Sequence, residues 1–173
     1  MAHQARFLNA AMDILALERS LLSGDRWTDP EDPYLNGQAS WCHGSPGIAL
    51  SRLAIFHRMN DAKIREDAES ALERTTRAFD LDNHGLCHGE LGNLEALLVA
   101  SETFPASQKW SSLVNKRARL ILDDIATHGW RSARPGHVEI PGLMTGIAGI
   151  GFALLRLANP SKTPSVLLLE APK

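Results

Sequence analysis

Apolar side chains divide the chain into two alternating kinds of segment. From Gln4 to Leu22, the residues Phe7, Leu8, Ala11, Ile14, Leu15, Leu21 and Leu22 recur at three-to-four spacing, with Arg6, Asp13 and Arg19 off the stripe. That spacing predicts an amphipathic helix ending near Gly24. Residues 25–40 carry Asp29-Pro30, Asp32-Pro33 and Asn36-Gly37 and read as a long loop, with Asp29, Glu31 and Asp32 in a solvated turn. Ile48 to Met59 is apolar nearly all round, as in a helix enclosed by neighbours; His57 stands alone on it and reads as a packed or partly exposed side chain rather than a ligand. Asp61 then caps a one-sided helix, with Ile64, Ala68, Ala71, Leu72, Thr75 and Phe79 inward and Lys63, Arg65, Glu66, Glu69 and Arg74 outward.

The alternation repeats downstream. Leu91 to Ala100 is again mostly apolar, and Ser107 to Thr127 is again one-sided, with Trp110, Val114, Ile121 and Ile125 on one stripe and Lys116, Arg117, Arg119 and Asp123 elsewhere. A Gly/Pro loop over residues 128–141, containing His128 and His137, leads to a third apolar helix from Ile147 to Ala158. Wholly apolar helices alternating with one-sided ones imply an inner layer and an outer layer. After Asn159-Pro160 the segment Val166 to Leu169 is expected to pack back on the body. Strand signals are scarce, so the fold class is all-α, built of helical hairpins.

Each apolar helix follows the same short phrase. Ser40 to Leu50 reads Ser-Trp-Cys-His-Gly-Ser-Pro-Gly-Ile-Ala-Leu, and its core returns as Cys87-His88-Gly89-Glu90-Leu91-Gly92-Asn93-Leu94. A degenerate copy, Met144-Thr145-Gly146-Ile147-Ala148-Gly149-Ile150, keeps both glycines but has lost the cysteine and histidine. The copies start at residues 42, 87 and 144, intervals of 45 and 57 that accommodate a two-helix repeat. Glycines at these points allow close approach to a neighbour just before a helix begins. Cys42 and Cys87, the chain's 2 cysteines, stand at equivalent positions of successive repeats, so the repeat symmetry should bring them together.

Composition narrows the chemistry further. At 173 residues the chain can bury one core without a disulfide framework. Its 18 basic and 20 acidic side chains give a net charge of −2, which argues against a nucleic-acid or anionic-membrane surface. No apolar run is long enough for a membrane span, and the start lacks a basic region followed by an apolar run, so the expected location is cytoplasmic. A reduced cysteine pair serving a metal fits that compartment better than a disulfide.

Zinc accepts thiolate and imidazole together, and Cys42, Cys87 and His88 supply three donors. Three protein ligands leave a fourth position open, the catalytic pattern, whereas a fourth ligand closes the site. His43 is the candidate for closure, but two adjacent Cys-His pairs converging on one ion demand unusual side-chain geometry twice, which favours the open arrangement.

The phrases Trp41-Cys42-His43-Gly44-Ser45-Pro46-Gly47-Ile48 and Leu86-Cys87-His88-Gly89-x-x-Gly92-Asn93 closely resemble the zinc-site signatures of lanthionine synthetase C-like cyclases. The ending Pro164-Ser165-Val166-Leu167-Leu168-Leu169-Glu170 resembles the C-terminus of class II lanthipeptide synthetases, the LanM type. The resemblance implies a double-layered α/α toroid with zinc held by Cys42, Cys87 and His88 at one end of its inner barrel. It also implies the reaction: a cysteine thiol of a dehydrated precursor peptide adds to dehydroalanine or dehydrobutyrine, closing a thioether ring. A zinc-containing or glutathione-binding scaffold without catalysis is the alternative.

About three hairpins stand here against about seven in the family, so residues 1–173 correspond to the C-terminal part of a cyclase domain. The remaining hairpins, or self-association through exposed apolar edges, are the partners this implies. The family's proton-handling histidine and aspartate lie on earlier repeats, and where bacterial stand-alone cyclases often carry an arginine this chain has Gln38. His43 is the local candidate for proton transfer, or else merely shapes the rim. His84 could hydrogen-bond the site, and Glu90 has a sufficient explanation in the dipole of the helix it opens.

Overall fold

The computed structural model describes residues 2–24, 26–28, 31 and 39–171. Its elements in chain order are α1 (Ala2–Ser20), the two-residue strands β1 (Leu22–Ser23) and β2 (Arg26–Trp27), α2 (Ser45–Met59), α3 (Ala62–Arg77), α4 (Glu90–Thr103), α5 (Gln108–His128) and α6 (Ile147–Ala158). The architecture is all-α, as the periodicity requires. The strands form a minimal antiparallel hairpin pairing Leu22 with Trp27 and Ser23 with Arg26, turned through Gly24 at φ 65°. The expected loop over 25–40 therefore starts inside a hairpin; Asp29, Asp32, Asn36, Gly37 and Gln38 lie outside the described residues.

The three phrases set the register of the inner layer. The helices α2, α4 and α6 begin directly after Gly44, Gly89 and Gly146. Their preceding loops are joined edge to edge: the amides of Trp41 and Cys42 donate to the Cys87 carbonyl at 3.0 and 3.4 Å, and the Cys87 amide donates to the Met144 carbonyl at 2.8 Å. Three helices launched from one edge in this way run side by side in the same direction. The second glycine of each phrase explains the tight entry. A Cβ at Gly47, Gly92 or Gly149 would lie 2.1, 2.0 or 1.7 Å from the carbonyl oxygen of Trp41, Leu86 or Leu143, so the helix start and the incoming loop fit together only without a side chain.

Outer helices complete two hairpins. After α2, Asp61 accepts a hydrogen bond from the Ile64 amide at 2.9 Å and starts α3, which buries Ile64, Ala68, Ala71, Leu72 and Thr75 as its pattern predicts. α5 packs back on α4 in the same way, while α4 itself lies between α2 and α6. Every residue of α4 from Glu90 to Ala100 is buried. Leu50, Leu53, Leu72, Leu91, Leu94, Leu97 and Ile121 meet in the common core, each worth about 1.5–3 kcal/mol relative to an exposed side chain. In the tail Leu167 joins this core and Val166 and Leu168 pack against it, whereas Leu169 is exposed.

The two flanks differ from the sequence reading. α2 was expected to be enclosed, yet Ile48, Ala54, Ile55 and Phe56 are only half-buried. On the opposite flank, α6 leaves Ile147 40% and Leu155 65% exposed. Among the described residues both helices have an inner-layer neighbour on one side only, α4, which leaves their apolar outer flanks uncovered. α1 departs most: Phe7 is 75% exposed and Ile14 and Leu17 each 63%. Ion pairs tie it to the first hairpin, Arg19 to Asp67 at 2.6 Å and Glu18 to the fully buried Arg52 at 2.7 Å. Among the described residues no helix is long and apolar enough to cross a membrane.

Candidate metal centre

Loop-to-loop hydrogen bonding at the starts of α2 and α4 brings the two phrases together. One ligand atom each from Cys42, Cys87 and His88 lies within 4.8 Å of the others. Tetrahedral zinc, with bonds of roughly 2.3 Å to sulfur and 2.0–2.1 Å to nitrogen, sets such donors roughly 3.5–3.8 Å apart, so a small inward movement closes the set. Both cysteines are free thiols, Cys42 exposed and Cys87 half-buried, and His88 is exposed. The donor set therefore opens outward, leaving room for a further ligand. The Ser40 hydroxyl lies 3.7 Å from the Cys42 sulfur and also donates to the His43 carbonyl at 2.9 Å, fastening the turn that presents Cys42.

One hydrogen bond defines the state of His88. Its Nε2 lies 3.0 Å from the Ala133 carbonyl oxygen. A carbonyl can only accept, so Nε2 carries a proton, and in the neutral ring Nδ1 is then the nitrogen with the lone pair a metal needs. The thiols show the complementary need. Burial, followed by the hydrogen bond and charge of Cys42, pushes the Cys87 thiol up to about 12. Two neighbouring thiolates repel each other, and a divalent cation between them removes that obstacle. Two soft sulfurs and a correctly protonated imidazole thus fit zinc.

The other sequence candidates have different surroundings. His43 is exposed, outside the three-donor group, and its backbone is bonded to Ser40. His84 is fully buried but hydrogen-bonds Asp124, with Nε2 to Oδ2 at 3.0 Å, rather than a metal donor. Burial lowers its pKa, with Asp124 opposing. His128 bonds Asp124 from the exposed end of α5 at 2.9 Å, and the His137 ring lies 3.2 Å from the Ser132 carbonyl in a short turn over Pro135–His137.

Two charged residues have roles that the sequence reading missed. Glu90 is 1% exposed and burial pushes its carboxyl up to about 7. The Asp80 amide donates to it at 3.3 Å, and Arg117 approaches at 3.7 Å. Helix polarity explains an acid at that position but not its enclosure. Arg117 is not outward as expected: it is buried over the Phe79 ring at 4.3 Å and donates to the Thr76 carbonyl. Its spacing from Val114 and Ile121 places it on the apolar stripe, which was the available signal. Glu90, with Asn83 and Phe79, lines a cavity of about 520 Å³ that reaches His88; a second, of about 370 Å³ beside Ser132 and Arg134, reaches the same histidine.

Known proteins are similar to this chain in sequence. The profile of the family described as lanthionine synthetase C-like protein matches residues 2–168. The lacticin 481/lactococcin biosynthesis protein LcnDR2 of Lactococcus lactis subsp. lactis is 27% identical over 180 residues, covering 94% of this chain. The glutathione S-transferase LANCL1 of Danio rerio is 28% identical over 123 residues, covering 70% of it. The matched regions make up 19% of the first relative and 29% of the second, so the chain corresponds to only a part of either.

Proposed function

The chain belongs to the lanthionine synthetase C-like family, and on that premise we propose that residues 1–173 are the C-terminal portion of a zinc-dependent thioether cyclase domain. The convergence of Cys42, Cys87 and His88 from two repeats carries the reading. Bound there, zinc supplies a site that favours the thiolate form of a peptide cysteine, the nucleophilic form. The overall reaction adds that sulfur to Cβ of a dehydroalanine or dehydrobutyrine. A C–S bond forms as the alkene π bond breaks, the proton lost from sulfur is balanced by one gained at Cα, and no redox change occurs. The product is a lanthionine or methyllanthionine ring in a peptide.

Within this chain Cys42, Cys87 and His88 hold the ion, and the Ala133 carbonyl keeps the His88 proton on Nε2. The two cavities meeting at His88 give the dehydrated precursor peptide a place to lie. His43, adjacent to Cys42 and exposed, is the local proton-transfer candidate. General acid–base assistance is worth on the order of 100- to 10,000-fold. Preceding hairpins would close a toroid against the exposed flanks and supply the rest of that assistance, in a cytoplasmic enzyme.

Elemental analysis tests the metal assignment: the wild type should carry about one zinc, as a single site requires, and Cys87→Ala should lose most of it. Full retention by Cys42→Ala and Cys87→Ala alike rejects the assignment. Zinc-loaded chain should bind thiols and close rings weakly, with activity restored when the preceding hairpins are present. Full turnover by residues 1–173, unchanged in His43→Ala, would place the proton-transfer group elsewhere. A second reading draws support from the similarity to a protein named as a glutathione S-transferase. It predicts saturable glutathione binding and no ring closure by the metal-loaded chain above a metal-free control, even with those hairpins supplied.

A further inference from the structure

The Ala133 carbonyl that fixes His88 belongs to a segment without regular secondary structure, so something else must hold it. Ala133 donates its own amide to the Thr145 carbonyl at 2.9 Å, in the degenerate third phrase. The Ser132 hydroxyl donates to the Val138 carbonyl at 2.7 Å. Arg131 is gripped by His84 twice: the Arg131 amide donates to His84 Nδ1 at 2.9 Å, and the His84 amide donates to the Arg131 carbonyl at 2.9 Å. Gly85, next in the chain, fits so closely that a Cβ there would lie 2.7 Å from that of Ala133.

His84 can accept from Arg131 only if its proton is on Nε2, and Asp124 enforces that state by accepting Nε2–H at Oδ2, 3.0 Å away. The same carboxylate receives the Arg131 guanidinium at 2.5 Å and His128 Nδ1 at 2.9 Å, and the guanidinium also donates to the Leu81 carbonyl at 2.5 Å. The chain of constraint runs from Asp124 on α5, through buried His84 and the 131–133 segment, to the imidazole of His88. Such outer partners ordinarily set the tautomer and direction of a metal-ligating histidine.

We propose that Asp124 is a positioning residue for the metal centre: through His84 and the Ala133 carbonyl it holds His88 as an Nδ1 donor. The inference rests on the assignment of His88 as a metal ligand, and it gives the metal-free third phrase a part in the site. It is tested by nitrogen-15 NMR of the metal-free protein together with zinc titration against a competing chelator. In the wild type, His88 should be the Nε2–H tautomer; an Nδ1–H tautomer overturns the proposal whatever the variants do. Asp124→Asn, which lets an amide donate to His84 Nε2 and displace its proton, should mix the His88 tautomers and weaken zinc binding by about 10- to 100-fold. Asp123→Asn, at the exposed neighbouring position, should change neither. Unchanged tautomer and affinity in a folded Asp124→Asn overturns the positioning role. A wild type that binds no zinc overturns the metal reading instead, and the tautomer measurement separates the two failures.

Discussion

Two glycines two residues apart on α6 should respond in opposite directions to the same substitution. A Cβ at Gly149 would stand 1.7 Å from the Leu143 carbonyl oxygen, whereas one at Gly151 meets nothing within 4 Å. To bring the first up to 3.0 Å, the lower edge of real Cβ contacts, the loop must retreat from the helix by well over 1 Å. It is held there by the Gly146 and Ile147 amides, which donate to the carbonyls of Gly142 and Ile140. Overpacking of this kind costs about 1–3 kcal/mol, and rigid backbone puts Gly149→Ala at the upper end; the helix propensity gained returns about 1 kcal/mol. The net is about 2 kcal/mol destabilising, against about 0.5–1 kcal/mol stabilising for Gly151→Ala. For a domain of this size each kcal/mol moves Tm by about 2–4 °C, so thermal melts should show Gly149→Ala about 4–8 °C below wild type and Gly151→Ala about 1–4 °C above it. Equal melting temperatures would refute the close-approach argument. The matching substitution in the second phrase, Gly92→Ala, meets the Leu86 carbonyl at 2.0 Å, one residue before Cys87, and should lower zinc affinity as well as stability.

Acid should loosen the clamp around Ala133. Burial depresses the His84 pKa, so its stabilising contribution is complete above the ordinary value of 6.5 and is lost as pH falls through the lower folded value; chemical denaturation at successive pH values should show the loss, and a midpoint unchanged down to pH 4 would count against it. Chelation should lower the melting temperature of the zinc-loaded wild type by mass action and leave Cys87→Ala untouched; equal responses would exclude metal bridging between the hairpins. The uncovered flanks should drive self-association, which Ile14→Lys and Leu155→Lys should reduce in sedimentation experiments. A wild type that stays monomeric at high concentration would show that these flanks are not adhesive.

The sequence was most informative where one residue type has one physical use. The phrase glycines marked helix entries because only a missing Cβ lets the loop carbonyl approach, and Asp61 marked the start of α3 because its carboxylate satisfies the Ile64 amide. Cys42 and Cys87 could be paired from repeat symmetry alone. Periodicity gave the apolar face of α1 but not whether another element covers it, and Phe7, Ile14 and Leu17 are exposed. Charge misled in the opposite direction at Arg117, which was expected off the apolar stripe. Arg52, Arg117 and Arg156 are buried because carboxylates or carbonyls from other elements meet them, for example Glu95 and Pro160 at Arg156. Glu95 lies 61 residues from Arg156, a separation that local periodicity does not register. His84 was expected to hydrogen-bond the site from its place three residues before Cys87, but its ring bonds Asp124, 40 residues away.

The third phrase contributes through Met144 and Thr145, and both contributions are main-chain oxygens, to the amides of Cys87 and Ala133. Every amino acid carries the same carbonyl, so substitutions at those two positions can leave the hydrogen bonds unchanged. Gly149 has no such latitude, since any Cβ would strike Leu143. A repeat unit under these rules needs no reactive side chain to serve the site, because its backbone path makes the contacts. The first two phrases thus present Cys42, Cys87 and His88 while the third braces them through its backbone, and the same tight glycine recurs in all three.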